Sequence, residues 1–336
     1  MKLPRTSLDL NHTPVMLEEV IKICSPKKGD SFIDCTFGGG GYSKALLSFP
    51  STNVLALDRD KEVISIAKKL KNKFQNRFNF HHTKFSNIDQ ISPKNIDAVI
   101  FDLGISSIQL NDLNRGFSFK SKEDLDMDMG LSTTSVKDVI NNFDEGILKN
   151  IIKYLGDEKD ATAIVKNILL KRNIKIINTT DELADIIRKS KKRDLKNKID
   201  VCTKTFQALR IFVNKEITEL INGIIEASKS LKPGGKLIVV TFHSLEDKIV
   251  KFYFKNFAFN KSKQNKYQPE TSRDNIYLFE NYKNKVITAS ENELKKNPRS
   301  RSAKLRYAVR NNNKFVDPEE LKLKFKFLIE LEGKSA

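Results

Sequence analysis

Cysteine and histidine are both scarce in this 336-residue chain. The three cysteines, Cys24, Cys35 and Cys202, are far apart, odd in number and form no C-x-x-C pair. That usage fits a reducing compartment and argues against a disulfide framework or a structural zinc site. Of the four histidines, His81 and His82 are adjacent, which is poor ligand geometry, so no metal is expected. Long apolar runs are missing too. Nothing approaches the roughly 18 residues of a membrane-spanning helix, and the opening MKLPRTSLDLNH lacks the apolar core of a secretory signal. The expectation is a soluble cytoplasmic protein with no membrane partner.

Positive charge, by contrast, is in excess: 60 Lys and Arg against 42 Asp and Glu, a net +18. Scattered lysines only solvate a surface, so clustering is the better evidence. Seven Lys/Arg and no acid fall between Lys295 and Arg310, and Arg188 to Lys198 holds seven more against a single Asp. Both clusters point to a polyanionic partner, a nucleic acid.

Short apolar runs alternate with helical patterns. Ser31–Cys35, Asn53–Leu57, Phe78–His82 and Ile96–Phe101 read as strands, with helices from about Tyr42 and over Lys61–Lys71 between them. A Thr13-Pro14 cap is expected to open a helix ahead of the first strand. This alternation predicts an α/β fold with a doubly wound, mostly parallel sheet. The next strand, Lys236–Thr241, comes about 130 residues later, after the turn 232–235. Between them lie helical patterns at Val136–Asn142, Glu145–Tyr154, Ala161–Lys171 and Asp181–Lys189, then a long helix from about Thr205 to Ser230. The division expected is 1–115 with 206–336 as the sheet domain and 116–205 as an inserted helical, substrate-recognising subdomain. A helix over Ser244–Phe257, a polar stretch at 260–282 and strands near Lys285–Thr288 and Ala303–Val309 complete the chain.

The stretch DCTFGGGGYS, Asp34 to Ser43, follows the first strand. In doubly wound sheets the ligand lies at the carboxyl ends of the strands, where their order reverses. The residues at those ends are the glycine turn, Asp58, Asp102 and His243. A dinucleotide site wants G-x-G-x-x-G, but counting from Gly38 the third position is Ser43, and from Gly39 it is Lys44. No G-K-[ST] follows, which excludes a P-loop. Gly38, Gly40 and Gly41 instead give D-x-T-x-G-x-G-G, a pattern like that of S-adenosylmethionine (SAM) enzymes. Asp58 can accept both ribose hydroxyls, a role shared with NAD sites. Leu231–Lys236 (LKPGGK) before a strand is the better discriminator and is typical of the SAM fold.

With further blocks added, the chain resembles the bacterial small-subunit ribosomal RNA cytosine-N4 methyltransferase family nearly end to end. The blocks are His12–Val15 with Glu18, the glycine loop, Asp58–Asp60, Asp102–Ser107 with Gln109, Arg115–Phe119 and Leu125–Met129. Phe206–Ile211 with Val213-Asn214, Phe242–Asp247 and Asn297–Arg306 follow in order. The resemblance implies a seven-stranded SAM-methyltransferase (Rossmann-like) sheet with an inserted all-helical subdomain. It also implies methyl transfer from SAM to the exocyclic amine of one cytidine in the decoding region of 16S rRNA, free or in the small subunit. The cofactor contacts it implies are Gly40, Gly41, Tyr42, Asp58, Phe85, Asp102 and Gln109, with Gly38 from the loop pattern. Tyr42 stands where the family has His, Asp128 where it has Arg and Asp124 where it has Pro.

Cytosine N4 is a poor nucleophile because its lone pair is delocalised into the ring, so alignment and a hydrogen-bond acceptor for the amine are required. Related amino-methyltransferases place a proline-containing motif after the fourth strand. Here that slot is Asp102-Leu103-Gly104, and Asp102 is expected to serve the cofactor, the amine or both. His243 is a second catalytic candidate, with substrate contact and structural hydrogen bonding both open. Ser244-x-x-Asp247 reads as a capping box. Methylation at carbon 5 would need a thiolate, and Cys35 and Cys202 are in no such motif. Arg115, Asp126, Arg299, Arg301 and Lys304 are expected on the RNA side, where a base would be extruded and stacked on Phe117, Phe119 or Tyr307. Exposed sheet edges also make a homodimer an expectation. The competing readings are a SAM enzyme acting on a small molecule and a non-catalytic RNA-binding assembly factor.

Overall fold

The structure, a computed structural model, describes residues 14–91, 93–119, 121–191, 200–259, 277–280 and 282–335. The expected cap at Thr13, His12 of the first block, residues 192–198 of one basic cluster and most of 260–282 lie outside the described residues. The chain divides into two compact units, 1–104 with 220–324 and 105–219 with 325–336.

The first unit is built on one sheet. Its strands are β1 (Ser31–Asp34), β2 (Asn53–Asp58), β3 (Phe78–His82), β4 (Ile96–Asp102), β5 (Leu231–Thr241), β6 (Phe279–Glu280), β7 (Ile287–Thr288) and β8 (Lys304–Arg310). Seven of them run in the order β3-β2-β1-β4-β5-β8-β6, and the two-residue β7 pairs with β8 beside that path. The pairs β3–β2, β2–β1, β1–β4 and β4–β5 are parallel, and β8 and its neighbours are antiparallel. A parallel strand covered on both faces must be apolar throughout. Accordingly Ala98, Val99, Ile100 and Phe101 are fully buried. The strand order reverses between β1 and β4, so a crevice opens at their carboxyl ends.

Several local expectations shift. The first helix runs Leu17–Cys24, three residues after Pro14, with Met16 in the left-handed region as its N-cap. The turn at 232–235 is absorbed into β5, with a register shift against β4. The single helix expected from Thr205 to Ser230 is two, Thr203–Asn214 and Glu216–Ser230. Lys215 breaks it at φ 52, its N–H bonding the Phe212 carbonyl at 3.1 Å.

The second unit is helical, over Ser107–Asn111, Val136–Asn142, Glu145–Asn150, Ala161–Arg172, Thr180–Ser190, Thr203–Asn214 and Lys326–Glu332. It reaches beyond 116–205 at both ends and takes in the last helix. The cause is a long-range contact: Glu332, almost fully buried, accepts hydrogen bonds from Ile217 N, Thr218 N and Thr218 Oγ1 at 2.9, 2.8 and 2.6 Å. Those amides open a helix and have no partner of their own within it. No helix among the described residues is long and apolar enough to cross a membrane.

Candidate active site

The glycine turn is pinned from three sides. Cys35 N bonds Ile100 O at 2.9 Å and Phe37 N bonds Leu57 O at 3.0 Å, tying the chain to β4 and β2. Gly38 and Gly40 lie at φ 49 and 73, where a side chain would be strained. Gly38 N donates to Asp58 Oδ2 at 2.8 Å, while Asp58 Oδ1 accepts from Asp60 N at 2.9 Å. Asp58 is thereby fixed under the turn, and among the described residues each of its oxygens keeps a lone pair for a further donor. A Cβ on Gly41 would lie 2.0 Å from Pro14 Cγ, so the segment before the first helix closes over the turn. Ser43, whose presence argued against a dinucleotide loop, donates to Asp34 Oδ2 at 2.6 Å.

Asp34, Asp58 and Asp102 end β1, β2 and β4, and all three are held against ionisation. Burial pushes Asp34 and Asp58 up to about 6, against the opposing pull of Ser43 and Thr36 on Asp34 and of the Asp60 and Gly38 amides on Asp58. Burial raises Asp102 well above the usual carboxylate range, and the charges of Asp34 and Glu246 add to it. The neighbouring Tyr42 hydroxyl pulls the other way. Asp102 Oδ1 is buried with no hydrogen-bond partner among the described residues. Asp102 N donates to Thr36 Oγ1 at 2.7 Å. Tyr42 is itself buried and gives its one hydroxyl proton to the Val15 carbonyl, so it forms the wall between the N-terminal segment and Asp102. Phe85 is half-buried, edge-on to Phe101 at 5.2 Å and against Gly223, where a Cβ would meet its ring at 2.5 Å.

His243 caps the helix Ser244–Phe257: its Nδ1 accepts from Glu246 N at 3.4 Å and its N–H donates to Glu246 Oε2 at 3.3 Å. The capping box is therefore His243 with Glu246, one residue earlier than Ser244-x-x-Asp247. Asp247 is engaged elsewhere, accepting from Arg306 Nε at 2.6 Å and Lys304 Nζ at 3.3 Å. The cap gives His243 a structural bond at Nδ1. Its buried Nε2 makes no directed hydrogen bond among the described residues, although Glu246 Oε1 lies 3.2 Å away.

In the helical unit Gln109 is buried, its Oε1 accepting from Ser106 N at 3.0 Å in a capping box and its Nε2 donating to Met129 O at 3.4 Å. Arg115 Nη2 donates to the Asp128 carbonyl at 2.7 Å and its guanidinium sits over Phe117 at 5.6 Å. Asp126 is half-buried, raised by burial and by Asp128, with Arg115 opposing. Asp128, the departure from the family pattern, accepts from Gly130 N and Ser132 N at 2.7 and 3.2 Å and so closes a turn. Asn214, which the sequence offered only as part of a resembling block with Val213, has a structural role. Its Oδ1 accepts from Met129 N at 2.8 Å and its Nδ2 donates to Met127 O at 2.8 Å, fixing the Leu125–Met129 segment to its helix.

The basic cluster is sorted by strand geometry. Lys295, Lys296, Arg299 and Arg301 are exposed and Lys304 is half-buried. Arg306 and Arg310 are buried: Arg306 pairs with Asp247 and donates to Tyr282 at 3.1 Å, and Arg310 donates to the Leu278 carbonyl at 3.0 Å.

An open sheet with a glycine turn and three strand-end carboxylates at its switch point is the Rossmann-like sheet of a methyltransferase. Residues 9–311 match the MraW methylase family, and the chain belongs to it. It is 44% identical over 302 residues to the "Ribosomal RNA small subunit methyltransferase H" of Ehrlichia ruminantium (strain Welgevonden), covering 88% of this chain and 98% of that one. It is 42% identical over 313 residues to the protein of that name from Bartonella bacilliformis, covering 93% of each.

Proposed function

We propose that this methylase transfers the methyl group of SAM to N4 of one cytidine in the decoding region of 16S rRNA. The observation that carries the reading is the group of carboxylates at the ends of β1, β2 and β4, with Asp34 fully buried and Asp58 and Asp102 half-buried. Asp34 and Asp102 have no salt-bridge partner among the described residues, and Asp102 Oδ1 is left without a donor. Such a site fits a cofactor that brings its own positive charge and hydroxyl donors. When bound, SAM supplies an electrophilic methyl on a sulfonium that leaves as a neutral thioether.

In this reading Gly38, Gly40 and Gly41 let the backbone approach the cofactor, and the free lone pairs of Asp58 take the ribose hydroxyls. The Phe85 ring, set by Phe101 and Gly223, would hold the adenine by stacking. Asp102 accepts a hydrogen bond from the cytosine amine, which localises its lone pair, and takes the proton released on methylation. Its raised proton affinity suits that task once a nearby cation holds it ionised. The helical unit recognises RNA, with Arg115 and Asp126 on the substrate side, and Arg299, Arg301 and Lys304 bind phosphates.

Incubation with methyl-tritiated SAM and purified small subunits tests the reading. Label is expected in 16S rRNA, and Asp102→Ala is expected to lower the rate at least ~100-fold while SAM still binds. Intact SAM binding with no label in RNA contradicts it.

A further inference from the structure

The exposed basic segment and the cofactor loop are joined by a short chain of hydrogen bonds within the first unit. Its hub is Glu293, half-buried in the helix Glu291–Lys296. Glu293 Oε1 accepts from Ser300 Oγ at 2.6 Å and from Asn297 Nδ2 at 3.5 Å, which holds the turn carrying Arg299 and Arg301. The same oxygen accepts from Met16 N at 3.2 Å. One residue earlier, the Val15 carbonyl accepts from Tyr42, and two residues earlier Pro14 fills the space over Gly41. Tyr42 is thereby held beside Asp102, close enough to lower its proton affinity. The segment 14–16 is thus gripped by Glu293 on one side and by the cofactor loop on the other.

Met16 reports the tension in that grip. It is fully buried and sits at φ 53, a conformation rare for a side chain that is neither Gly, Asn nor Asp. Backbone of this kind persists only where its surroundings over-determine it. Here the surroundings are the two hydrogen bonds at Val15 and Met16, one to each site. An element held by two sites responds to both.

We propose that Glu293 is a positioning residue that couples the two sites, so that RNA phosphates on Arg299 and Arg301 and the cofactor on the glycine loop strengthen each other's binding. The proposal rests on the reading of those two sites given above. Phosphate binding orders the 297–301 turn, Ser300 and Asn297 then fix Glu293, and Glu293 fixes Met16 and Pro14 over Gly41. By linkage the effect runs equally in the other direction.

The test measures the affinity of S-adenosylhomocysteine for the full-length protein by calorimetry, with and without saturating purified small subunits. Wild type is expected to bind it about 5-fold or more tighter when the subunit is present. Glu293→Ala and Ser300→Ala are each expected to bring that ratio close to one. Glu293→Gln keeps the accepting oxygen and is expected to restore the ratio. Ser300→Ala breaks the link away from the cofactor, so the affinity for S-adenosylhomocysteine alone should stay at the wild-type value. That split separates coupling from simple loss of structure. A wild-type ratio of one, or a ratio unchanged in both Ala variants, overturns the proposal and leaves the methyltransferase reading standing. A wild type that binds neither ligand overturns both.

Discussion

Asp34 and Asp58 both hold their protons more tightly in the folded protein than in the unfolded chain, titrating at about 6 where an ordinary aspartate does so at 3.8. Each therefore contributes stability that is complete below about pH 4 and is lost as pH rises through about 6. A bound sulfonium favours their ionised forms, so the free protein and the complex respond to pH with opposite sign. SAM affinity is expected to rise at least about tenfold between pH 5 and pH 7, because the ionised fraction of each carboxyl titrating at about 6 grows about tenfold over that range. S-adenosylhomocysteine, which has no sulfonium charge, should change less. Calorimetric titration at the two pH values checks this, and a flat profile for SAM contradicts it. At this scale the sequence placed Asp58 and Asp102 at strand ends, because an acid directly after an apolar strand is visible as such. It did not show that Ser43 serves Asp34, or that His243 rather than Ser244 caps its helix. Ser244-x-x-Asp247 and His243-x-x-Glu246 both have the form of a cap. The choice between them is made where β5 releases the chain, which is a tertiary fact.

Among elements, the glycine turn and the segment 14–16 work as a pair. Gly41→Ala places a Cβ 2.0 Å from Pro14 Cγ, and the proline must move off the turn. The expected outcome is a loss of SAM affinity of about tenfold or more, which is some 1.4 kcal/mol, with the thermal unfolding midpoint nearly unchanged. A full-affinity Gly41→Ala protein would show that Pro14 does not shape the site. The β8 strand supports a second contrast. Its alternation puts Arg306 and Arg310 on a buried face, so Arg306→Ala leaves Asp247 without its closest partner. That variant is expected to lose about 3–5 kcal/mol of stability in denaturant unfolding. Arg301→Ala should change stability by no more than about 0.5 kcal/mol but lower the salt slope of RNA binding by about 0.7–0.9. Equal stability losses in the two variants would contradict this sorting. In the sequence the seven basic residues of 295–310 form one cluster. Which of them face solvent depends on the pairing of β8 with β5, and that is not local. The break at Lys215 escaped for a similar reason: the apolar pattern runs on through it, and a left-handed residue leaves no mark in composition.

For the whole molecule, the parallel sheet was legible because buried parallel strands are short apolar runs spaced by helices. The helical character of the second unit was legible from period alone, but its extent was not. Glu332 joins it from more than a hundred residues away, through hydrogen bonds to Ile217 and Thr218 that no local pattern announces. The central claim concerns the chemistry of the whole assembly, methyl transfer to one exocyclic amine of RNA. It is tested most directly by mass spectrometry of nucleosides from 16S rRNA, taken from small subunits treated with the protein and SAM. N4-methylcytidine is expected, at about one per RNA chain and absent without the protein. Methylation at carbon 5 of cytosine, or on another base, would contradict it.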